Sequence, residues 1–301
     1  MTIKPLNGQT ITPGTVAGIG FFDGLHRAHQ VLIETTIAQA RSTNRPAAVI
    51  TFDVHPKSVL LDLDYQYITP IDKKIKLLKA FELDTIYVIE FDKQKASLTP
   101  KAFIDTYLHG LSALVCGFDF HFGVRGSGNV ETLRAASRFA TIVLEPMLHD
   151  GFKIGSTHIR DLIAGGHVDS VPETLNRFYS LEGTVIHGEK KGREIGYPTA
   201  NLDTGSYLIP KKGVYATQTR RGDRWYRSMA TIGHNPTLNR NNALSVETYL
   251  FDFDDNLYGE TIEVRFLKRL RDEQKFPDVA ALIAQIDKDA VIALDIIKKH
   301  E

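Results

Sequence analysis

Residues 18–30 have the sequence GIGFFDGLHRAHQ, and this stretch decides how the first half of the chain folds. The apolar residues at 16–19 predict a short buried strand, and the glycines that follow predict a tight turn. His26 and His29 then stand three residues apart at the start of a predicted helix, 29 to about 41. Residues at i and i+3 share a helix face, and a helix N-terminus favours an anion. The stretch therefore predicts a phosphate site with two imidazoles beside it.

Two other interpretations of this stretch stay open. Paired histidines near a helix start can be ordinary surface residues. Alternatively, Gly18 and Gly20 could open a dinucleotide-binding unit of the G-x-G-x-x-G type, as in a dehydrogenase. The third glycine position holds Asp23, however, and the next acidic candidate, Asp53, lies about 30 rather than about 20 residues on. That interpretation also gives the histidines no role.

The rest of the first half alternates short apolar runs with amphipathic stretches. The predicted strands are 47–52, 85–91, 113–118 and 141–144, and the predicted helices are 72–81, 100–108 and 131–139. Thr99 as N-cap and Pro100 at the first helical position mark one helix start. This alternation predicts an α/β domain with a doubly wound parallel sheet, in which ligands bind outside the carboxyl ends of the strands.

The second half changes to short strands separated by turn residues. The predicted strands are 183–187, 213–219, 225–232, 244–253 and 261–267, followed by an amphipathic helix at 277–298. This spacing predicts an antiparallel β-barrel or sandwich with the C-terminal helix packed over it. We therefore expect an N-terminal domain at 1–166, a linker at 167–180 and a C-terminal domain at 181–301.

Composition narrows the classes of function. The chain has 301 residues, with 36 Lys plus Arg balanced by 36 Asp plus Glu, so no global field favours nucleic acid or a membrane surface. No apolar run reaches the length of about 18 residues that a membrane span requires. The single cysteine, Cys116, excludes an internal disulfide and a cysteine-rich metal site. We expect a cytoplasmic protein, and the oligomeric state stays open.

Four segments of the first half resemble one family in order. The histidine stretch resembles the HxGH signature of the nucleotidyltransferase superfamily, and more narrowly the GxFDGxHxGH opening of bacterial bifunctional riboflavin kinase/FAD synthetases, with Ala28 in place of glycine. Residues 51–56 (TFDVHP) resemble the family's TFxPHP segment, with Val54 for proline. Residues 117–123 (GFDFHFG) resemble GxDFxFG, and 155–160 (GSTHIR) resemble SSTxIR, with glycine replacing the first serine.

The second half carries a closer resemblance to the same family. Residues 188–201 (GEKKGREIGYPTAN) are similar to the GxxxGRxxGxPTAN signature of riboflavin kinases. Glycines four apart with lysines among them suit a loop around phosphates, although the GK[ST] of a Walker P-loop is missing. Further segments resemble PxxGVYA (210–216), GxxPT (233–237) and the strand of the catalytic glutamate (246–248).

The resemblance implies a bifunctional enzyme that phosphorylates riboflavin to FMN in the C-terminal domain and adenylates FMN to FAD in the N-terminal domain, each with ATP and Mg²⁺. It implies His26, His29 and Glu247 as catalytic residues, and Thr199 and Asn201 as Mg²⁺ ligands. The implied ATP and phosphate contacts of the adenylyltransferase are Gly20, Phe21, Asp23, Gly24, Asp119, Ser156, Thr157 and Arg160. The implied ATP and flavin contacts of the kinase are Gly188, Lys190, Gly192, Arg193, Gly196, Pro198 and Arg271. Two alternatives remain: a kinase whose N-terminal half is weak or inactive, and a flavin- or nucleotide-binding regulator without turnover.

Overall fold

The computed structural model describes residues 1–7, 11–188, 191–234 and 244–301. Contacts divide the chain into two compact units, Met1–Ser156 and Thr157–Glu301. The division lies before the domain boundary predicted at 166, and the predicted linker segment, 167–180, falls within the second unit. The predicted boundaries remain predictions.

Among its described residues, the first unit contains a six-stranded sheet, a short hairpin, six α-helices and a short 3-10 helix, Val124–Gly126. The sheet strands are β1 (Thr2–Pro5), β2 (Thr15–Ile19), β3 (Ala47–Phe52), β4 (Thr85–Ile89), β5 (Leu111–Gly117) and β6 (Ala140–Leu144), and the hairpin strands are β7 (Leu148–His149) and β8 (Phe152–Lys153). The helices are α1 (Arg27–Ser42), α2 (Pro56–Leu61), α3 (Ile71–Leu78), α4 (Lys93–Ala96), α5 (Pro100–Tyr107) and α6 (Val130–Ala136).

The sheet has the strand order β1-β4-β3-β2-β5-β6, and every pair in it is parallel. The predicted doubly wound parallel sheet is therefore confirmed. From β2 the chain adds β3 and β4 on one side, then crosses back to place β5 and β6 on the other. The direction of winding thus reverses at β2 and β5, and such a switch point is where parallel sheets bind ligands.

Alternate residues of the central strands pack into two cores, one on each face of the sheet. Val16 and Val49 belong to the core that contains Leu32 of α1. Ala17 and Ile50 belong to the opposite core, together with Phe103 and Leu133 of α5 and α6. Burial on both faces explains why these strands appear in the sequence as continuous apolar runs.

The sequence prediction missed some elements of this unit and misplaced several ends. β1 was not predicted because it is a mostly exposed edge strand, TIKP, in which only Lys4 is partly buried. The hairpin strands are only two residues long. α6 ends at Ala136 rather than at 139, because Ser137 adopts a left-handed conformation with φ 52°. The predicted cap of α5 is confirmed, since the Thr99 side chain accepts a hydrogen bond from the Ala102 N–H.

The second unit is a six-stranded barrel with helices. Its strands are β9 (Ser180–Ile186), β10 (Ala200–Asp203), β11 (Gly213–Arg221), β12 (Arg224–His234), β13 (Leu244–Leu250) and β14 (Thr261–Arg271). Its helices are α7 (Ser156–Gly165), α8 (Pro172–Leu175), α9 (Lys191–Glu194) and α10 (Val279–Lys298), of which α7 starts at the division between the units.

The barrel is closed and antiparallel, with the strand order β10-β13-β12-β11-β14-β9, which confirms the predicted barrel. The prediction missed β10, whose four residues, ANLD, contain two turn-forming types and no apolar run. Yet β10 pairs with both β9 and β13 and so closes the barrel. β13 ends at Leu250 rather than at 253, and Asp252 beyond it has a φ of 53°.

Gly183 of β9 lies where the barrel closes, and we expect Gly183→Ala to destabilise the second unit. A Cβ at this position would lie 2.6 Å from the main-chain oxygen of Asp203 in β10, so the two strands would have to separate. Overpacking of this kind costs about 1–3 kcal/mol. Urea unfolding followed by the fluorescence of Trp225, the single tryptophan and part of β12, measures this cost. Gly155→Ala is the control, because its Cβ would meet nothing within 4 Å; an unchanged midpoint for Gly183→Ala would contradict the close approach.

Candidate active sites

The turn after β2 has an unusual backbone that buried side chains hold in place. Phe22 and Leu25 adopt positive φ angles of 58° and 44°, and Gly24 has a φ of 82°. The Phe22 and Leu25 side chains are buried in the core under α1. A Cβ on Gly20 would lie only 3.0 Å from the Phe22 ring. The predicted glycines are therefore required for the shape of this turn.

His26 and His29 come together as predicted. His26 is the N-cap of α1, and its Nδ1 accepts a hydrogen bond of 3.4 Å from the His29 N–H, so the helix begins at Arg27 rather than at 29. The two imidazole rings stack with centroids 3.6 Å apart, and the Phe22 ring packs edge-on against His29 at 5.2 Å. Nδ1 of His29 is buried and has no hydrogen-bond partner among the described residues.

The environment of His29 keeps its imidazole neutral. Burial is the main cause that lowers its pKa well below 6.5, and the nearby charges of His26 and Lys74 lower it further. A neutral imidazole has one N–H donor and one acceptor nitrogen. His29 can therefore donate a hydrogen bond to an anion near neutral pH without carrying a charge itself.

Two predicted phosphate contacts of the first unit hold the turn in place. The Asp23 carboxylate is buried, and its Oδ1 accepts a 3.0 Å hydrogen bond from the Thr69 N–H. The main-chain oxygen of Asp23 accepts a 2.9 Å hydrogen bond from the Ser156 hydroxyl. The hydroxyl of Ser156 and one oxygen of the Asp23 carboxylate are thus engaged by the protein itself.

Asp119 follows β5, on the other side of the switch point from the histidine turn. Its side chain is exposed, and its Oδ2 forms an ion pair with the Lys153 Nζ at 2.5 Å. The same ammonium lies 4.6 Å from the centroid of the exposed Phe118 ring. Thr157 and Arg160 are on α7 and belong to the second unit.

Lys74 is fully buried beneath the turn and is not among the residues predicted from the sequence. Its side chain is 1% exposed, and its Nζ donates to the main-chain oxygen of Phe21, a predicted site residue. Burial lowers the pKa of Lys74 to about 7, against the opposing effect of Asp23 and Asp53. One sequence signal could have revealed it: Lys74 lies four residues before the buried Leu78, in the apolar stripe of α3.

We expect His29 to stay uncharged throughout the range above pH 6.5 and to destabilise the first unit in acid. Its folded pKa is lowered, so the unfolded chain binds the proton more readily. The contribution of neutral His29 to the stability of the first unit is present above pH 6.5 and is lost as the pH falls towards the pKa of His29 in the folded protein. An NMR titration of the His29 ring, assigned by comparison with His29→Gln, measures the pKa. A midpoint at or above 6.5 would contradict the burial of this ring.

In the second unit, barrel closure brings three predicted residues together. Asn201 of β10 lies directly opposite Glu247 of β13 in the strand register. The Thr199 hydroxyl donates a 3.0 Å hydrogen bond to Oε2 of Glu247. Asn201 is 6% exposed, and its buried Oδ1 has no hydrogen-bond partner among the described residues. A hydroxyl oxygen, an amide oxygen and a carboxylate therefore converge.

This donor set fits a hard divalent cation such as Mg²⁺, which prefers oxygen ligands and few of them from the protein. The hydroxyl proton of Thr199 is used by Glu247, which leaves the oxygen lone pairs available. The orphaned Oδ1 of Asn201 is the kind of buried acceptor that calls for an explanation. Coordination of a cation would satisfy it.

The glycine segment before β10 folds closely around these residues. A Cβ on Gly188 would lie 2.2 Å from Nδ2 of Asn201, and a Cβ on Gly192 would lie 2.3 Å from the main-chain oxygen of Tyr197. Gly196 has a φ of 85°. Both close approaches and the positive φ explain why glycine occupies these positions.

The other predicted residues of this segment lie at its surface or outside the described residues. Arg193 and Pro198 are exposed. Lys190 and the PT pair of the GxxPT segment, 236–237, lie outside the described residues.

A cavity of about 200 Å³ opens beside Thr199 and Glu247. Its other lining residues combine apolar and polar side chains, namely Tyr197, Val214, Met229, Thr231, Tyr249, Arg271, Glu273, Gln274, Phe276, Leu282, Ile286 and Asp289. The predicted residue Arg271 therefore shares one cavity with the predicted base. Such a mixture of apolar walls and a few polar groups is typical of small-molecule sites.

The C-terminal helix α10 supplies part of this cavity as well as covering the barrel. Its buried Asp289 accepts a 2.8 Å hydrogen bond from Nε of Arg271 and another of 2.9 Å from Gln285. Asp287 accepts a hydrogen bond from the Tyr197 hydroxyl, which raises the pKa of Tyr197 to about 12. The sequence analysis missed both acids. Asp289 could have been found as a charge in the stripe of Ala293 and Ile297.

Comparison with known families assigns each half of the chain to an enzyme class. A sequence model described as FAD synthetase matches residues 8–158, and one described as riboflavin kinase matches residues 175–297. The first match contains the histidine turn, and the second contains the barrel and its cavity.

Whole-chain relatives place the two halves in one family. A bifunctional riboflavin kinase/FMN adenylyltransferase from Listeria monocytogenes is 40% identical over 91% of this chain and 90% of its own length. Its namesake from Bacillus subtilis is 37% identical over the same shares. The chain belongs to the family of bifunctional riboflavin kinase/FMN adenylyltransferases.

One solved structure has the same fold over nearly the whole chain. It is described as a macrolide-efflux protein from Streptococcus pneumoniae, with a TM-score of 0.87, 33% identity, and coverage of 97% of this chain and 98% of the other. Within the part of the chain that the structure describes, no helix combines the length and apolar character needed to cross a membrane.

Proposed function

We propose that the chain makes FAD from riboflavin in two ATP-dependent steps, one in each unit. The observation that carries the proposal is the hydrogen bond between Thr199 and Glu247 in the cavity wall, with Asn201 directly opposite Glu247 in the strand register. A base beside a cation-binding pair is what phosphoryl transfer from ATP requires, and a site for binding alone needs neither. Membership of the family supports the second activity in the first unit.

In the kinase step, Glu247 is the general base. It accepts the proton of the ribityl 5′-hydroxyl as that oxygen attacks the γ-phosphorus of ATP, and ADP leaves. Thr199 and Asn201 would hold Mg²⁺, which supplies positive charge to the phosphates when bound. Arg271, held by Asp289, fixes the polar end of the cavity wall, and the apolar walls suit the flavin ring.

In the adenylyl-transfer step, an FMN phosphate oxygen attacks the α-phosphorus of ATP and pyrophosphate leaves. His26 and His29 would donate hydrogen bonds to the charge that builds on the transferred phosphate. The stacked rings are already oriented together by the N-cap of α1, so little ordering remains when substrates bind. Thr157 and Arg160 are proposed phosphate contacts on the family resemblance.

The geometry favours supporting roles for Asp23 and Ser156. Both are engaged in hydrogen bonds within the protein, which shape the turn between β2 and α1. Gly20 and Gly24 allow that shape, and Phe21 presents its main-chain oxygen to Lys74. We propose that these five residues position the histidines, whereas direct contact with phosphates comes from the histidines, from the N–H groups of α1 and from Thr157 and Arg160.

The second candidate is a riboflavin kinase with a weak first unit, because Ala28, Val54 and Gly155 depart from the family motifs. Serine at 155 would have room, since its Cβ would meet nothing within 4 Å. Incubation with FMN, ATP and Mg²⁺, followed by chromatography for FAD, separates the two candidates. FAD formation supports the bifunctional enzyme. FMN formation from riboflavin without FAD formation supports the riboflavin kinase with a weak first unit.

We expect single substitutions to separate the two activities. Glu247→Gln removes the base but keeps the shape of the side chain, so FMN formation should fall by about 100-fold or more while FAD formation from supplied FMN continues. His29→Ala should do the opposite. The products of both reactions are measured by chromatography on each variant, and each variant's intact activity is the control for folding. Loss of both activities in either folded variant would contradict the division of labour.

We expect Asn201→Ala to weaken the response of the kinase to Mg²⁺. Loss of one protein oxygen should raise the Mg²⁺ concentration for half-maximal FMN formation by about tenfold. Asn201→Asp keeps an oxygen at this position and should retain more of the response. A Mg²⁺ titration of both variants measures the change, with FAD formation from FMN as the internal control. An unchanged half-maximal concentration in Asn201→Ala would remove Asn201 from the cation site.

We also propose the cytoplasm as the compartment. Cys116 lies buried in β5, and burial raises the pKa of its thiol to about 11. A lone buried thiol of this kind suits a reducing compartment. ATP, riboflavin and FMN are the proposed partners, all of them small molecules.

A further inference from the structure

Lys74 joins the ends of two neighbouring parallel strands. Its Nζ donates hydrogen bonds of 2.9 Å to the main-chain oxygens of Phe21 and Phe52, and one of 3.3 Å to Oγ1 of Thr51. Phe52 is the last residue of β3, and Phe21 lies in the turn that follows β2. The lysine thus reaches from α3 to the carboxyl edge of the sheet, next to the switch point.

The three contacts of the Lys74 Nζ match the three protons of an ammonium. An ammonium has three N–H donors, and three acceptors surround Nζ. The Thr51 hydroxyl gives its own proton to the Phe21 oxygen at 3.1 Å, so it acts as an acceptor towards Lys74. A neutral amine has only two protons and could donate to only two of these three acceptors. The Phe21 ring, 4.2 Å away, adds a cation–π contact.

The charge of this ammonium interacts with titratable groups from several elements. The carboxylates of Asp23 and Asp53 stabilise the ammonium of Lys74, and the ammonium in turn lowers the pKa of His29. Asp53 is itself fixed, because its Oδ1 accepts hydrogen bonds from Val54 and Phe91. His26, whose ring stacks on His29, is a further titratable group that lowers the pKa of His29.

The position of the ammonium matters because main-chain oxygens at the ends of parallel strands carry partial negative charge. Without a donor, the oxygens of Phe21 and Phe52 would repel a triphosphate bound at this edge, and the turn would lose its anchor. All three protons of Lys74 are used by the protein and its side chain is 1% exposed. It therefore acts through the turn and does not touch substrate.

We propose that Lys74 is a positioning residue for FMN adenylation, which anchors the turn after β2 and neutralises its main-chain oxygens so that His26 and His29 face the phosphates. This inference rests on the adenylyltransferase activity of the proposed function. It assigns to α3, a helix outside the recognised motifs, a direct part in shaping the site.

The test compares Lys74→Met with the wild-type full-length chain. Methionine keeps the length of the side chain but removes the donors and the charge. The kcat for FAD formation from FMN should fall by about ten- to a hundredfold, as expected when reacting groups are displaced by about 1 Å. FMN formation from riboflavin should stay within about twofold, since the mutation leaves the second unit unchanged. Lys79→Met, an exposed lysine next to α3, is the matched control and should leave both rates unchanged.

A second readout separates positioning from simple loss of stability. In Lys74→Met the NMR pKa of His29 should rise, because one of the charges that lowers it is gone. Lys74→Arg, which keeps the charge, should keep the pKa of His29 low and recover part of the kcat. A protein that was only less stable would show neither response.

Circular dichroism checks that Lys74→Met is folded. If it is not, Thr51→Val replaces it in the test. This substitution removes one acceptor of Lys74 and the hydrogen bond from the Thr51 hydroxyl to Phe21, while the lysine remains. Its kcat for FAD formation should fall by about three- to tenfold.

The outcomes that overturn the two inferences differ. FAD formation within about twofold of wild type in folded Lys74→Met, or in Thr51→Val where the first variant is unfolded, overturns the role of Lys74. No FAD from the wild-type chain, with FMN formation intact, overturns the proposed adenylyltransferase activity instead.

Discussion

The buried ammonium of Lys74 is the interaction on which the first unit's site depends. A buried charge is tolerated only where protein groups compensate it, so the lysine forces Phe21, Thr51 and Phe52 to present their oxygens to one point. That point joins the histidine turn to the sheet. The second unit follows the same rule, because Asp289 of α10 compensates Arg271 on the cavity wall. In both units a charge in the apolar stripe of a helix ties that helix to the site.

Closure of the barrel positions the residues of the second site, as the switch point of the parallel sheet positions those of the first. β10 is short and polar, and its local sequence does not favour a strand. Pairing with β9 and β13 gives it hydrogen-bond partners on both sides, and the resulting register sets Asn201 opposite Glu247. Gly188 lies close to the Asn201 amide, whose oxygen is buried, and the Thr199 hydroxyl donates to Glu247. The candidate chemistry is therefore a consequence of strand pairing.

The residues that the structure groups together at each candidate site lie within one unit, and Thr157 and Arg160 enter only as proposed contacts. The histidine turn, Lys74 and Asp119 belong to the parallel sheet, whereas the cavity with Glu247 and Arg271 belongs to the barrel. This separation is the physical reason why one activity can serve as the internal control for the other.

Local sequence alone determined the strand–helix alternation of the first unit, most strands of the barrel, and the glycine and histidine segments, because periodicity and turn chemistry act between near neighbours. It also identified Thr199, Asn201 and Glu247 as a set through family resemblance. Tertiary structure alone decided that Lys74 and Asp289 are buried, that β1 and β10 are strands, and that Asp23 and Ser156 face the protein. These features depend on groups that lie far apart in the chain, such as Lys74 and Phe21 or Arg271 and Asp289. Spacing within a segment does not specify which distant segment packs against it, and that packing decides which charges need partners.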